Sequence, residues 1–249
     1  MNIIISPAKK MNVREDELDW ADLPCFLSKA EELKEYIRGL SRSEAKALWQ
    51  CNETIAGLNY GRFQAMDLTG RLTPALLSYE GIQYQYMAPG VFETRHWDYV
   101  QQHLRILSGF YGILRPLDGI VPYRLEMQAK VTIGDTKNLY DYWKDRLYQA
   151  VIDDSRVIIN LASKEYSKCI EKYLSPDDQY ITVTFCELSK GKLVTKGTYA
   201  KMARGEMVRY MAENSIEDPA RIQKFNRLGY RFREDLSSET EYIFERKVD

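Results

Sequence analysis

The sequence predicts an α/β fold of the mixed α+β kind: a single domain in which helices surround a mixed central sheet. Two short apolar stretches, residues 2–5 and 156–161, each run into a polar loop, as buried strands do. Residues 180–188 (YITVTFCEL) alternate in the manner of a strand. Residues 198–213 carry Met202, Met207, Val208 and Met211 at helical spacing. At 249 residues, with 45% hydrophobic and 29% charged side chains, the chain suits one domain with a substantial core. It holds no internal repeat and no low-complexity linker.

Taken in order, the strand at 2–5 closes at Ser6-Pro7, with Lys9 and Lys10 in the loop beyond. A helix is expected over 28–39, with Ser28 as its cap and Glu31 completing a capping box. Gly39-Leu40-Ser41 breaks it, and 44–50 forms a second helix. Residues 55–63 continue helically, with Asn59 and Arg62 as their distinctive polar groups. Thr73-Pro74 starts a short helix. Residues 79–91, rich in Tyr, Gln and Gly, read as partly extended. Their tyrosines 79, 84 and 86 could stack on bases or lie in a core.

Residues 101–127 form the most specified stretch. Trp97, Val100, Leu104 and Leu107 predict a helix leading in, ended by Ser108-Gly109. Gly112, Pro116, Asp118-Gly119 and Pro122 then punctuate a compact connection. Arg105, Arg115 and Arg124 project from it, with only Asp118 and Glu126 opposing them. Beyond it, 131–133 could be a strand, 139–152 a single helix and 156–161 a buried strand. Ser163 is placed to cap the next helix, whose first turn holds Lys164, Glu165, Tyr166 and Lys168. A strand followed by a capped helix is the geometry in which anions bind beyond strand ends. Gly191 turns 180–188 into a hairpin. Asp218-Pro219 begins a short helix, and residues 242–244 form a closing strand.

The net charge is −1, so any anion site must come from clustering. Residues 13–35 hold three basic and eight acidic side chains, 190–233 eleven and four, and 234–249 two and six. The arginines and lysine at 221, 224, 227, 231 and 233 alternate with aromatic residues, which suits a nucleic-acid backbone or equally an edge strand. Cys25, Cys51, Cys169 and Cys186 show no C-x-x-C spacing. His96 and His103 stand seven apart, unlike a zinc pair. No metal or cofactor is expected. The short apolar run at 3–5 is no signal peptide and no stretch is long enough to span a membrane, so a cytoplasmic protein without membrane contact is expected.

Several segments together resemble the YaaA family of bacterial peroxide-stress proteins. They are ISPAK near the start, AGLNYGRF at 56–63, the 101–127 stretch, NLYDYW at 138–143, INLASKEYSK at 159–168, YAKMARGEMVRY at 199–210 and KFNRLGYRF at 224–232. The resemblance implies an unusual mixed α/β fold and protection against hydrogen peroxide. It also implies binding of duplex or branched DNA through a basic cleft and a helix-hairpin-helix element. The order Ile37-x-Gly39-Leu40-Ser41-x-x-x-Ala45-x-x-Leu48-Trp49 is similar to that element, with Ser41 in place of its second glycine. An ordinary antiparallel helix pair has the same apolar spacing. In the DNA reading, backbone N–H groups at the second helix would face a phosphate, with Arg38, Arg42 and Lys46 beside it. Arg62, Arg105, Arg115, Arg124, Lys164, Lys168, Lys201, Arg204 and Arg209 complete the candidate footprint. Lys201, Arg204 and Arg209 are expected to border the same cleft as Arg105 or Arg124. Where the family usually has a second lysine before Ala-Arg-Gly, this chain has Met202.

Two other readings compete. A nucleobase- or nucleotide-modifying enzyme would place chemistry at the ends of the 2–5 and 156–161 strands, on Ser6, Lys9, Asn160, Ser163 and Glu165. An iron-handling protein would explain peroxide protection, but the chain offers no Glu-x-x-His helix and no cysteine cluster.

Overall fold

The computed structural model describes residues 1–14, 18–189 and 191–247. Strand β1 (Asn2–Ile5) is the first expected strand, with Ile3, Ile4 and Ile5 wholly buried. A two-residue strand β2 (Lys10–Met11) follows. Helix α1 (Leu27–Arg38) begins at Phe26 with no side-chain cap, so the expected Ser28 box does not form; the helix has already started at Ser28. The capping box belongs instead to α2 (Arg42–Trp49), where Ser41 accepts from the Glu44 N–H and Glu44 accepts from the Ser41 N–H at 2.8 Å. Gly39 between these helices has φ −72°, a right-handed value open to any residue. Asn52 caps α3 (Glu53–Gln64).

At Thr73-Pro74 the chain forms strand β3 (Thr73–Pro74) before the short helix α4 (Ala75–Ser78). The 79–91 segment is extended in part, as expected, at β4 (Tyr79–Glu80), and continues into the helix α5 (Ile82–Met87). Helix α6 (Thr94–His103) ends earlier than its apolar spacing implied, and Leu104 and Leu107 belong to β5 (Leu104–Ser108). A strand buried on both faces loses the period-two signature and can fall into step with a helical one. The β5 residues Leu104, Ile106, Leu107 and Ser108 are fully buried. Strands β6 (Gly112–Leu114) and β7 (Gly119–Ile120) follow. Gly112 has φ +75°, and a Cβ there would lie 2.7 Å from the Trp143 ring, so both backbone and space require glycine.

The helix expected over 139–152 is two, α7 (Leu139–Trp143) and α8 (Arg146–Val151), because Lys144 takes φ 49° and breaks the ladder. No strand forms at 131–133, although Val131 is buried. Then come β8 (Val157–Asn160), α9 (Lys164–Glu171), β9 (Gln179–Ser189), β10 (Lys192–Val194) and α10 (Gly197–Glu213). A 3-10 turn at Pro219–Lys224, strand β11 (Tyr230–Phe232) and strand β12 (Glu241–Arg246) complete the described chain.

The main sheet has the order β11-β12-β9-β8-β1-β5-β6, with β10 paired to β9. The five strands from β12 to β5 are parallel; β6, β10 and β11 are antiparallel. Residues 2–5 and the 156–161 strand are therefore neighbours in one sheet, with Ile3 opposite Ile159, as expected. One apolar core runs from Met1 to Phe244. The parallel register is what positions the site: β1, β5 and β8 all end at the same edge, delivering Ser6, Ser108-Gly109 and 161–163 side by side.

Candidate anion-binding site at the strand ends

At that edge Ser6 and Ser163 meet. The Ser6 hydroxyl donates to Ser163 Oγ at 3.1 Å and accepts from the Ser163 N–H at 2.8 Å. Ser163 precedes α9 but makes no side-chain cap, because the loop after β1 has claimed it. The loop after β5 brings a third wall. A Cβ on Gly109 would lie 2.5 Å from the Leu125 carbonyl, so glycine alone lets the 124–127 segment lie across the end of β5. Ser108 Oγ and the Tyr123 and Tyr79 hydroxyls then form a buried chain, 2.6 and 2.7 Å apart in turn.

A fourth wall comes from α10, which crosses α5. A Cβ on Gly205 would come within 2.0 Å of the Gln83 carbonyl. The glycine thus lets the two helices touch and sets the preceding Arg204, with Lys201 one turn earlier, at the strand edge. These four walls enclose a cavity of about 410 Å³ whose lining includes Ser6, Lys9, Gln83, Tyr84, Arg124, Glu126, Ser163, Glu165, Tyr166, Lys201 and Arg204.

Charges in the cavity are unevenly matched. Glu126 bridges Lys9 at 2.5 Å and Arg124 at 3.0 Å. Lys201 and Arg204 have no hydrogen bond or ion pair among the described residues, and Arg204 Nε is sealed from solvent with no acceptor. Burial pulls the Arg204 pKa down, the signature of a charge whose hydration has been removed without compensation. Glu165 accepts weakly from the Gln128 N–H at 3.3 Å, and burial, then the Glu126 carboxylate, pushes its pKa up. The arrangement places two cations without an ion-pair partner beside a carboxyl whose charged form burial disfavours.

The other candidates lie elsewhere. Asn160 is buried behind the cavity, accepting from the Ala162 N–H at 2.9 Å and donating to Thr182; it shapes the loop and does not line the cavity. Arg38 donates to the Phe63 and Met66 carbonyls, each at 2.8 Å, and pairs with Glu35, so it clips α1 to the end of α3. Arg42 and Lys46 share Glu53 at 2.6 and 3.0 Å. Arg62 lies 3.4 Å from the Asn59 side-chain oxygen. Arg105 donates to the Leu104 carbonyl at 2.9 Å, and Arg115 pairs with Asp22 at 2.8 Å. Lys164 pairs with Glu171, and exposed Lys168 is not among the cavity residues. Arg209 pairs with Glu213 at 2.7 Å. Of the cluster expected to share one cleft, Lys201, Arg204 and Arg124 come together, while Arg105 and Arg209 do not line it.

The basic run after Asp218 is partly compensated by side chains distant in sequence. Arg227 pairs with Glu206 and Glu213 and packs over the Tyr210 ring, and Arg233 pairs with Asp235 and Glu245. Sequence reading missed Gln83, which sits in the segment read as partly extended. Its signal was Gly81 followed by seven residues without Gly or Pro, a run that a helix could occupy.

In class, then, this is a mixed α/β protein whose parallel strands end at a pocket lined by uncompensated cations. The chain belongs to the family described as "Peroxide stress protein YaaA", whose sequence pattern matches residues 1–236. It is 64% identical over the full length of both chains to a UPF0246 protein of Agathobacter rectalis. It is 54% identical to the UPF0246 protein DSY0297 of Desulfitobacterium hafniense, over 98% of this chain and 97% of that one. A UPF0246 protein of Lactiplantibacillus plantarum is 51% identical over 98% of each. No helix among the described residues is long and apolar enough to cross a membrane.

Proposed function

We propose that the protein binds DNA in the response to hydrogen peroxide, through sequence-tolerant or structure-selective phosphate contacts that limit oxidative damage. The footprint centres on the cavity mouth. The observation that carries this reading is Arg204 beside Lys201, two cations without a carboxylate, in a chain of net charge −1. An uncompensated, partly desolvated arginine is favourable only when an anion completes it. The hairpin cations Arg42 and Lys46 are secondary contacts, because Glu53 already answers them.

Titration of duplex, forked and single-stranded DNA across salt tests this. The log–log slope for duplex should be roughly −0.9 per phosphate contacted. Lys201→Ala and Arg204→Ala should each weaken binding to all sequences and flatten the slope by about one, while Arg42→Ala does less. No binding at low salt would remove the reading.

Glu165 favours a second reading, a nucleobase- or nucleotide-modifying enzyme. Its raised pKa and its place beside the Ser6–Ser163 pair suit a general acid. There, Glu165→Gln would keep DNA affinity and abolish a chemical change in the bound nucleic acid, detectable by mass spectrometry of its nucleosides.

A further inference from the structure

We infer that the cavity takes a single nucleotide unit, with its phosphate against Arg204 and Lys201 and its unstacked base inside, where Gln83 and Glu165 face the base's polar edge. This rests on the nucleic-acid reading above and names the part of the polymer the site holds.

Three buried donors without an acceptor, Arg204 Nε, Arg124 Nε and Gln83 Nε2, belong to residues lining this one cavity. A buried polar group left unpaired costs roughly 1–3 kcal/mol, so three such side chains around one cavity favour a ligand that brings acceptors to them. Two of the donors are cationic and call for an oxyanion. The third is neutral, and Gln83 is only 7% exposed, so it needs an acceptor other than a solvated phosphate. Glu165 adds the complementary demand. Held toward its protonated form, its carboxyl can donate to a ring nitrogen or carbonyl; ionised, it accepts from an exocyclic amine. Inorganic phosphate would satisfy the arginines and leave Gln83 without a partner.

Shape agrees. Tyr84, Leu125 and Tyr166 give flat apolar walls, which suit a base face. A volume of about 410 Å³ lies in the range of small-molecule sites and is far too small for a duplex segment. A base must therefore leave its stack to enter, which costs a few kcal/mol from a paired duplex and least where it is already unpaired. The same chemistry could arrive as a free mononucleotide, and the experiment separates the two sources.

The full chain is titrated with a paired duplex and with the same duplex carrying one bulged 2-aminopurine, and separately with deoxyadenosine monophosphate by calorimetry. The bulged duplex should bind about tenfold tighter, the difference reflecting the unpairing the paired site must supply, and the probe's fluorescence should change on binding. Gln83→Leu should erase that preference, because the extruded base loses its polar partner while the phosphate contacts carry no base information. If Gln83→Leu lowers the melting temperature, Glu165→Gln, which keeps the side-chain shape, serves instead and should change the preference among bulged A, C, G and T. Equal binding of paired and bulged DNA, silent fluorescence and no mononucleotide binding would overturn the inference while leaving DNA binding intact. Mononucleotide binding with no affinity for any DNA would support the pocket as a free-nucleotide site and overturn the DNA-binding reading instead.

Discussion

Asp118 shows how a single residue ties function-bearing loops to stability. Its carboxylate accepts from the Arg115 N–H at 2.8 Å, and burial pushes its pKa up to about 6. An unfolded aspartate titrates near its ordinary value of 3.8, so between about pH 4 and 6 the folded chain binds the extra proton. Stability contributed by this group is therefore present at low pH and lost as pH rises through about 6, by an amount on the order of 3 kcal/mol. Asp118→Asn should flatten that part of the pH profile in urea unfolding; an unchanged profile would assign the effect to another group. Arg38 makes the opposite point. As a clip onto backbone carbonyls, its replacement by Ala should cost on the order of 1–3 kcal/mol by leaving those carbonyls unpaired. DNA affinity measured well below the melting temperature should not move.

At the scale of elements, two glycines set the cavity. Gly205→Ala would force a Cβ onto the Gln83 carbonyl and part α10 from α5. The expected outcome is a loss of about 1–3 kcal/mol in denaturant unfolding, as for other overpacked contacts, together with weakened binding at the Arg204 site. Unchanged stability and binding would mean that the helices are not held by this contact. The α1–α2 connection is governed by capping. Ser41→Ala removes the acceptor for the Glu44 N–H and should cost about 1 kcal/mol. The salt dependence of DNA binding should stay as it was, since no phosphate contact is lost.

For the whole molecule, β12 matters out of proportion to its position near the end of the chain. It lies between β9 and β11, pairing with β9 over six residues from Glu241 to Arg246. Phe244 is wholly buried and meets Phe185, Phe225 and Phe232. Deleting residues 237–249 would strip β11 of its partner and expose the edge of β9. The truncated chain should lose its cooperative thermal transition or aggregate on light scattering; a sharp transition at the original temperature would show that β12 is dispensable.

The sequence by itself determined the class of fold and that the strands at 2–5 and 156–161 share one sheet. The three consecutive isoleucines of β1 and the Val-Ile-Ile of β8 do not alternate because both faces are covered, and runs that short between turn residues suit a buried strand. It also determined that Ser6, Lys9, Ser163 and Glu165 lie at strand ends, since loops must follow such strands. What it could not determine was local geometry decided by long-range contacts. Leu104 and Leu107 kept helical spacing with α6 yet joined the sheet, where pairing with β1 satisfied backbone groups that a longer helix would have satisfied for itself. Nor could sequence tell free cations from spent ones. Arg42, Arg115 and Arg227 look like Arg204 along the chain; Glu53, Asp22 and Glu213 answer the first three, and only tertiary structure left Arg204 unpaired among the described residues. The reason is physical: the helical propensities and apolar runs that fix elements act over a few residues, whereas charge pairing and the shape of a cavity depend on which distant segments the sheet brings together.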